Sequence, residues 1–232
     1  MGGVIMSGIV PLLTAPANYP ENFADATWAQ IIDACQKNKV PETWMVGSQK
    51  NMTINGVDYP IDIIGKNHDT YAAGGKAPLT LQLHNCYADG KPMNSSNTNL
   101  DGWTGCAMRS THLPAILALM PAEVQNGIRE VNKLTSEGSK GGTIITTKDR
   151  LFLLSEIEIL GDVTYSFTGE GTQYDYYKAG NSKIKSLNNN ASIWWERSPD
   201  NDISEFCYTD TDGTPYRGSA SVSHGVAFAF CF

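Results

Sequence analysis

Basic clusters, paired cysteines and long apolar runs are all missing from this sequence. Its 232 residues carry a net charge of −7, and charged side chains make up only 18% of them. Nucleic-acid backbones and anionic membrane surfaces are bound through Lys and Arg, so both are disfavoured as partners. We therefore expect no nucleic-acid partner.

The five cysteines show neither a CxxC pair nor a spacing typical of a metal site. This pattern favours free buried thiols over a disulfide framework. Cys207 and Cys231 are the one pair that we consider for a bridge, because they flank the last segment of the chain. We predict no metal and no cofactor.

The first twenty residues are mildly apolar, but they lack a basic start and are interrupted by Gly and Pro. We interpret residues 1–22 as an extended arm, with a cleaved signal peptide as the alternative. Residues 23–232 show no repeat, charge run or linker, and 41% of the chain is hydrophobic, which suffices for a sizeable core. One α+β domain is predicted.

Periodicity and turn chemistry predict several elements along this domain. They are a helix over about 23–37, a hairpin at Asn55-Gly56, strands over 61–64 and 79–83, a second helix over about 106–119 that contains Pro114, a short helical segment from Pro121 to about 127, and a strand over 151–159. Residues 161–190 are polar and aromatic, and we expect them to be irregular. The ending GVAFAFCF is apolar at every second position on both sides, which predicts a strand buried on both faces.

Two motifs near the end, WWERSP (194–199) and GVAFAFC (225–231), are the most specific features of the sequence. Together with GKNHD (65–69), GWTGCAMR (102–109), TKDRLFLLSEIEI (147–159) and GEGTQYDYY (169–177), they resemble a C-type-lectin-like family of gut bacteria, their phages and prophages. The resemblance covers residues 28–232. It implies a C-type-lectin-like fold, with two helices around a mixed, mostly antiparallel sheet and long loops.

Many members of that family are variable proteins of diversity-generating retroelements. In those systems adenines of a template copy are randomised, and the product replaces the coding sequence near the C-terminus. The resemblance thus implies a hypervariable receptor-binding protein, carried on a phage tail or on a bacterial surface. Its partner would be a cell-surface protein or glycan, and a homotrimer or contacts with other virion proteins would fit such a carrier.

The segment 200–224 agrees with this implication, because residues of unrelated chemistry follow one another there. In an extended chain, alternate residues such as Tyr208, Asp210, Asp212 and Thr214 share one face. Aromatic and small polar residues on a rigid frame are typical of a paratope. The predicted variable ligand contacts are Asp200, Asp202, Ile203, Glu205, Tyr208, Asp210, Asp212, Thr214, Tyr216, Arg217, Gly218, Ser219, Ser221, Val222 and His224. The predicted scaffold residues are Trp194, Trp195, Glu196, Arg197, Phe206, Gly213, Gly225, Phe228 and Phe230.

Other kinds of site were weighed against this hypothesis. The acids around 200–212 lack the EF-hand spacing and the sugar-binding triplets of true C-type lectins, so a calcium site is not predicted. We interpret Glu196 and Arg197 as a framework ion pair or hydrogen-bond anchor. His68, His84 and the cysteines lack the signatures of a hydrolase, and we expect no catalysis. The alternatives left open are a structural virion component without diversification, and a formylglycine-generating-like or hydrolytic enzyme.

Overall fold

The structure is a computed structural model that describes residues 18–138 and 142–232. Residues 1–17 of the predicted N-terminal arm lie outside the described residues. The fold is mixed α+β, as predicted, and every ladder between its strands is antiparallel, with one isolated parallel bridge at Trp194–Gly225.

The described residues form six short α-helices, where the resemblance implies two. They are α1 (Trp28–Gln36), α2 (Gly102–Gly105), α3 (Leu113–Leu117), α4 (Ala122–Gly127), α5 (Glu156–Leu160) and α6 (Asp175–Lys178), with a 3-10 turn at Phe23–Asp25 and a π-helical turn at Met108–His112.

The strands are β1 (Gln49–Ile54), β2 (Val57–Lys66), β3 (Thr70–Tyr71), β4 (Leu79–Leu83), β5 (Val131–Ser136), β6 (Ile144–Asp149), β7 (Leu151–Phe152), β8 (Lys185–Leu187), β9 (Asn190–Ser192), β10 (Trp194–Pro199), β11 (Glu205–Thr209), β12 (Pro215–Ser219) and β13 (Ala229–Cys231). They form sheets of order β1-β2-β4-β13-β7, β10-β11-β12, β3-β5-β6 and β8-β9.

The last strand lies inside the largest sheet. β13 pairs with β4 on one side and with β7 on the other. Phe228, Phe230 and Phe232 are fully buried, and so are Ala227, Ala229 and Cys231. The prediction of a terminal strand buried on both faces is confirmed, and the end of the chain is part of the core.

The hairpin prediction is also confirmed. β1 and β2 pair through Ile54 and Val57, and the two turn residues Asn55 and Gly56 both have positive φ, 49° and 79°. Such a turn matches the twist of the flanking strands and accounts for the Asn-Gly pair.

The first predicted helix is divided in two. Asn22 caps the 3-10 turn, and Thr27 then starts α1 with a capping box to Gln30. A threonine in extended conformation satisfies the free N–H groups of a helix start, so the chain restarts there rather than continuing. The second predicted helix, 106–119, is likewise a π-helical turn followed by α3, which starts next to Pro114.

The predicted strand over 151–159 is wrong. Only Leu151–Phe152 is a strand, and α5 follows from Glu156. Ser155 and Glu158 form a capping box, and Gly161 ends the helix in the left-handed conformation at φ +81°. These two signals outweighed the β-branched composition of the stretch.

Candidate ligand-binding surface

The segment of interest forms a three-stranded sheet, β10-β11-β12, called here the terminal sheet. Trp195 lies opposite Tyr208, and Tyr208 lies opposite Tyr216. β10 is buried along its whole length, whereas β12 is an edge strand that is only partly covered. The sheet has a fixed inner strand and an accessible outer one.

Two tryptophans fix the inner strand. Both are fully buried. The indole N–H of Trp194 donates to the Lys183 carbonyl, and that of Trp195 donates to the Lys91 carbonyl, each at 2.9 Å. Large rings with satisfied N–H groups hold β10 in one position.

Gly225 lets the chain pass close to β10. Its N–H donates to the Ile193 carbonyl (2.8 Å), and its own carbonyl accepts from the Trp195 N–H (3.0 Å). A Cβ at this position would lie 2.4 Å from the sulfur of Cys86. Only glycine fits this approach.

Arg197 anchors β10 from beneath. It is fully buried and forms two hydrogen bonds to Glu158, at 2.5 and 3.0 Å, and further bonds to the carbonyls of Leu134, Leu153 and Glu170. Burial alone would lower the pKa of Arg197, but the Glu158 carboxylate raises it above its usual value. The predicted anchoring role of Arg197 is confirmed, with Glu158 of α5 as its carboxylate partner.

Glu196 has a different environment from Arg197. Its Oε1 accepts from the Thr209 hydroxyl at 2.9 Å, and its Oε2 has no hydrogen-bond partner among the described residues. Burial, and then the nearby Glu156 carboxylate, raise the pKa of Glu196 well above its usual value. This side chain is a buried part of the frame, and its surroundings favour the protonated carboxyl.

The other predicted scaffold residues are also buried, with one exception. Trp194, Trp195, Glu196, Arg197, Phe206, Gly225, Phe228 and Phe230 are buried. Gly213 instead lies half-exposed in the β11–β12 turn, where its φ of +84° requires glycine.

This turn corrects the predicted alternation after Tyr208. The Asp210 N–H donates to the Thr214 carbonyl at 2.8 Å, so the chain reverses between these residues. Asp212 sits at the tip, where its carboxylate accepts from the Thr214 N–H and hydroxyl. Tyr208, Asp210, Asp212 and Thr214 therefore do not form one row on an extended strand.

Aromatic rings cover one face of the terminal sheet. The Tyr208 ring lies 5.9 Å from Trp195, 5.7 Å from Tyr216 and 5.2 Å from His224, measured between centroids. Tyr216 is 52% exposed, whereas Tyr208 is only 8% exposed. Burial lowers the pKa of His224, which favours the neutral imidazole. The prediction that Tyr208 is an exposed contact is therefore wrong, because Tyr208 is buried beneath the exposed ring of Tyr216.

Gly218 leaves the space that the Tyr208 ring occupies. A Cβ at Gly218 would lie 2.9 Å from Cε1 of Tyr208. Any larger residue at position 218 requires the Tyr208 ring to move, so the two positions cannot change independently.

The prediction that Asp200 is a surface contact is wrong. Asp200 is fully buried, and its Oδ2 accepts from Arg217 at 2.8 Å. Arg217 also pairs with Glu205 at 3.2 Å, while its side chain stays 41% exposed. The Asp200 carboxylate raises the pKa of Arg217. Arg217 consequently presents a guanidinium held in place from below.

Asn99 holds the loop 200–204, and sequence reasoning missed it. Its side-chain N–H groups donate to the carbonyls of Asp200, Asp202 and Glu205, at 2.9, 2.5 and 2.7 Å. Its backbone N–H donates to the Ile203 carbonyl at 2.9 Å. Four contacts from one residue define the path of a loop in which Asp200 is buried and residues 201–203 are exposed.

Tyr165 was also missed, although it borders the exposed ring of the terminal sheet. It lies 5.8 Å from Tyr216, and the Arg217 guanidinium stacks 5.2 Å from its centroid. The buried Glu156 fixes the loop by accepting from the N–H groups of Tyr165 and Ser166 and from the Ser166 hydroxyl. The accessible surface therefore extends beyond 200–224.

The remaining predicted contacts fall into two groups. One group is exposed and the other is partly buried. The exposed residues are Asp202, Ile203, Asp212, Thr214, Ser221 and Val222, and the partly buried ones are Glu205, Asp210, Gly218, Ser219 and His224. Ile203 and Val222 expose 68% and 46% of their surface, so this polar segment also presents two apolar side chains. We call the exposed members of this set, with Tyr165, Tyr216 and Arg217, the candidate surface.

The cysteines are buried, and the described acids are not clustered with them around a metal position. All five cysteines are free and buried, and Cys207 and Cys231 are not bridged. Burial raises the pKa of Cys207 well above its usual value, which disfavours a thiolate. Among residues 18–138 and 142–232 no group of three or more His, Cys, Asp or Glu side chains is arranged to hold a metal ion.

Comparison with known proteins adds a family. The model of a family described as "Domain of unknown function (DUF6273)" matches residues 79–232. The chain belongs to the DUF6273 family. The match contains the whole terminal sheet, the loop of Tyr165 and Asn99. No curated protein and no solved structure matches the chain. Within the described part of the chain, no helix is long and apolar enough to cross a membrane.

Proposed function

We propose that this DUF6273 protein is a ligand-binding protein with a C-type-lectin-like fold, and that the candidate surface is its binding site. The observation that carries the proposal is the contrast within residues 194–232. Strands β10 and β13 are buried, whereas the segments between them expose chemically unrelated side chains. Binding by exposed side chains on a rigid frame fits this contrast.

The ligand in this proposal is a protein or glycan on a cell surface. Tyr216 and Tyr165 offer large, rigid contact area, and Arg217 offers a preoriented guanidinium. Aromatic and Arg side chains carry much of the energy in interfaces of this kind. The proposed location is a phage tail or a bacterial surface, from which the protein would contact proteins and glycans of other cells.

We further propose that the exposed positions are diversified by a retroelement. The support is the resemblance of WWERSP and GVAFAFC to the variable family, together with the exposure of the residues between these two motifs. Exposed substitutions usually change stability by less than about 0.5 kcal/mol, so such a surface tolerates replacement.

Deep sequencing of the coding segment for residues 194–232 in a native population tests this proposal. We expect variation at exposed positions such as Ile203, Tyr216 and Val222, with Trp194 and Gly225 constant. Buried Asp200 serves as an internal control, because it should vary less than its exposed neighbour Asp202. If the sequence of this segment is the same throughout the population, the diversification proposal is wrong, and a single-ligand binder or a structural component is favoured.

A further inference from the structure

A cavity that shares no lining residue with the candidate surface lies elsewhere on the protein. It has a volume of about 450 Å³ and opens between β3, the β5–β6 hairpin and the chain at 171–172. Its lining residues are His68, Asp69, Thr70, Asn132, Lys133, Leu134, Thr146, Glu158, Gly171 and Thr172. This size falls within the range of small-molecule sites.

The floor of the cavity is a buried ionic network. Nζ of Lys133 lies 2.7 Å from Asp69, 2.7 Å from Glu158 and 3.0 Å from the Tyr174 hydroxyl. These contacts occupy all three donors of the ammonium group. Two carboxylates, Asp69 and Glu158, are balanced by Lys133 and Arg197, so the floor offers neither a free charge nor a free donor.

The rim is polar and uncharged. The His68 ring stacks on Tyr174 with centroids 4.0 Å apart, and burial lowers the pKa of His68, so it is neutral at pH 7. Thr70 pairs with Asn132 across β3 and β5, and Thr146 pairs with Leu134 across β5 and β6. The register therefore gathers hydroxyl and amide groups on one side of the opening.

Side chains of this kind can each donate and accept hydrogen bonds. The Thr70, Thr146 and Thr172 hydroxyls show no hydrogen bond to another described residue, and neither do the ring nitrogens of His68. Leu134, which is 42% exposed, adds an apolar wall beside them.

Glycine at position 171 shapes the opening. Its φ is +120°, and a Cβ there would lie 2.8 Å from Oε1 of Glu158. A larger residue would press on the ionic floor, so the glycine allows the chain to lie directly against it.

We propose that this cavity binds a small, uncharged, polyhydroxylated molecule of about monosaccharide size. Ligand hydroxyls match the mixed donors and acceptors of the rim, and aliphatic C–H groups match Leu134. A charged ligand would find no opposite charge on the saturated floor and would lose its hydration without compensation. This inference is independent of the candidate surface.

The test is an NMR titration of the isotope-labelled full chain with glucose, galactose, mannose and sorbitol, and with glucuronate and glucosamine as charged counterparts. We expect amide shifts at Thr70, Asn132, Thr146 and Thr172 with at least one neutral probe, and weaker binding of the charged probes. The Thr146→Val/Thr172→Val double variant should weaken binding about tenfold, because two hydrogen bonds are lost. Both threonines are exposed, so this variant should fold.

Thr168→Val, an exposed substitution outside the cavity, is the matched control and should bind like the unmodified chain. The proposal is overturned if no probe shifts these amides at millimolar concentrations. It is also overturned if the shifts map to residues 200–224 instead, or if the control and the double variant lose affinity equally.

Discussion

Tyr208 and Tyr216 face each other across the β11–β12 ladder, yet their surroundings differ. Tyr208 is enclosed by Trp195, His224 and the narrow space above Gly218, whereas Tyr216 projects its ring into solvent beside Tyr165. Burial raises the pKa of the Tyr208 hydroxyl. The same residue type is buried at one position and exposed at the other.

This difference predicts unequal costs for the same substitution. Tyr208→Ala should lower the free energy of unfolding by about 3–5 kcal/mol, as expected for a buried aromatic residue. Tyr216→Ala should cost at most about 1 kcal/mol, since little packing is lost at an exposed site. Urea denaturation of both variants measures the difference. Equal costs would show that Tyr216 is part of the core and not a free contact.

Residue by residue, the sequence predicts burial better than partners. Trp194, Trp195 and Phe230 were expected in the frame from their apolar pattern, and they are buried. Asp200 is predicted as a ligand contact because it lies in the chemically mixed segment 200–224, but it is buried and pairs with Arg217, 17 residues later. Asn99 and Tyr165 gave no local sign of their roles, because their contacts depend on the tertiary fold.

At the scale of elements, helix capping determines the secondary structure of residues 151–159, where composition alone predicts a strand. Ser155 and Glu158 start α5 within a stretch that has the density of a strand. Glu158 then pairs with Arg197, so the helix start also holds β10. An Asn-Gly turn and a two-sided apolar strand depend on few contacts and were predictable from sequence; a helix start inside an apolar run was not.

Loop 200–204 should depend on Asn99. Asn99→Ala removes the side-chain donor shared by three carbonyls, and we expect a loss of about 1–3 kcal/mol together with faster amide exchange over 200–205. Hydrogen exchange followed by mass spectrometry measures both the rate and its location. Asn51→Ala, at an exposed position of β1, is the control. Unchanged exchange at 200–205 in Asn99→Ala would mean that the loop is held by other contacts.

Glu196 predicts a pH dependence of stability. Its pKa is raised in the folded protein, while the unfolded chain releases the proton near the usual value of 4.5. Above that pH the folded state therefore binds more protons than the unfolded chain. The contribution of Glu196 to the free energy of unfolding is fully present below pH 4.5 and is lost as the pH rises toward the folded pKa. The expected slope from this group reaches about 1.4 kcal/mol per pH unit.

Glu196→Gln should remove this contribution. Denaturation at pH 5 and pH 8 should show a smaller fall in the free energy of unfolding for the variant than for the unmodified chain. Glu42→Gln, at an exposed position, should leave the fall unchanged. A steeper pH dependence in Glu196→Gln would contradict a protonated Glu196.

For the molecule as a whole, the residues that stabilise the fold are different from the residues of the candidate surface. The core runs from α1 through the five-stranded sheet to β10, and the candidate surface lies on loops and an edge strand outside it. Changes on such a surface are expected to add up as small independent terms when the positions share no partner. The frame should then tolerate many different surfaces.

Simultaneous replacement of five exposed residues tests this separation directly. The variant carries alanine at Ile203, Thr214, Tyr216, Ser221 and Val222. Four terms of about 0.5 kcal/mol and at most about 1 kcal/mol for Tyr216 give a total loss below about 3 kcal/mol, or a Tm lowered by less than about 12 °C for a chain of this size. The single buried substitution Phe206→Ala should cost about 3–5 kcal/mol, more than all five together. Thermal and urea unfolding measure the stability of both variants. If the five-residue variant is less stable than Phe206→Ala, these side chains stabilise the fold. That result would contradict a binding surface whose residues can be replaced.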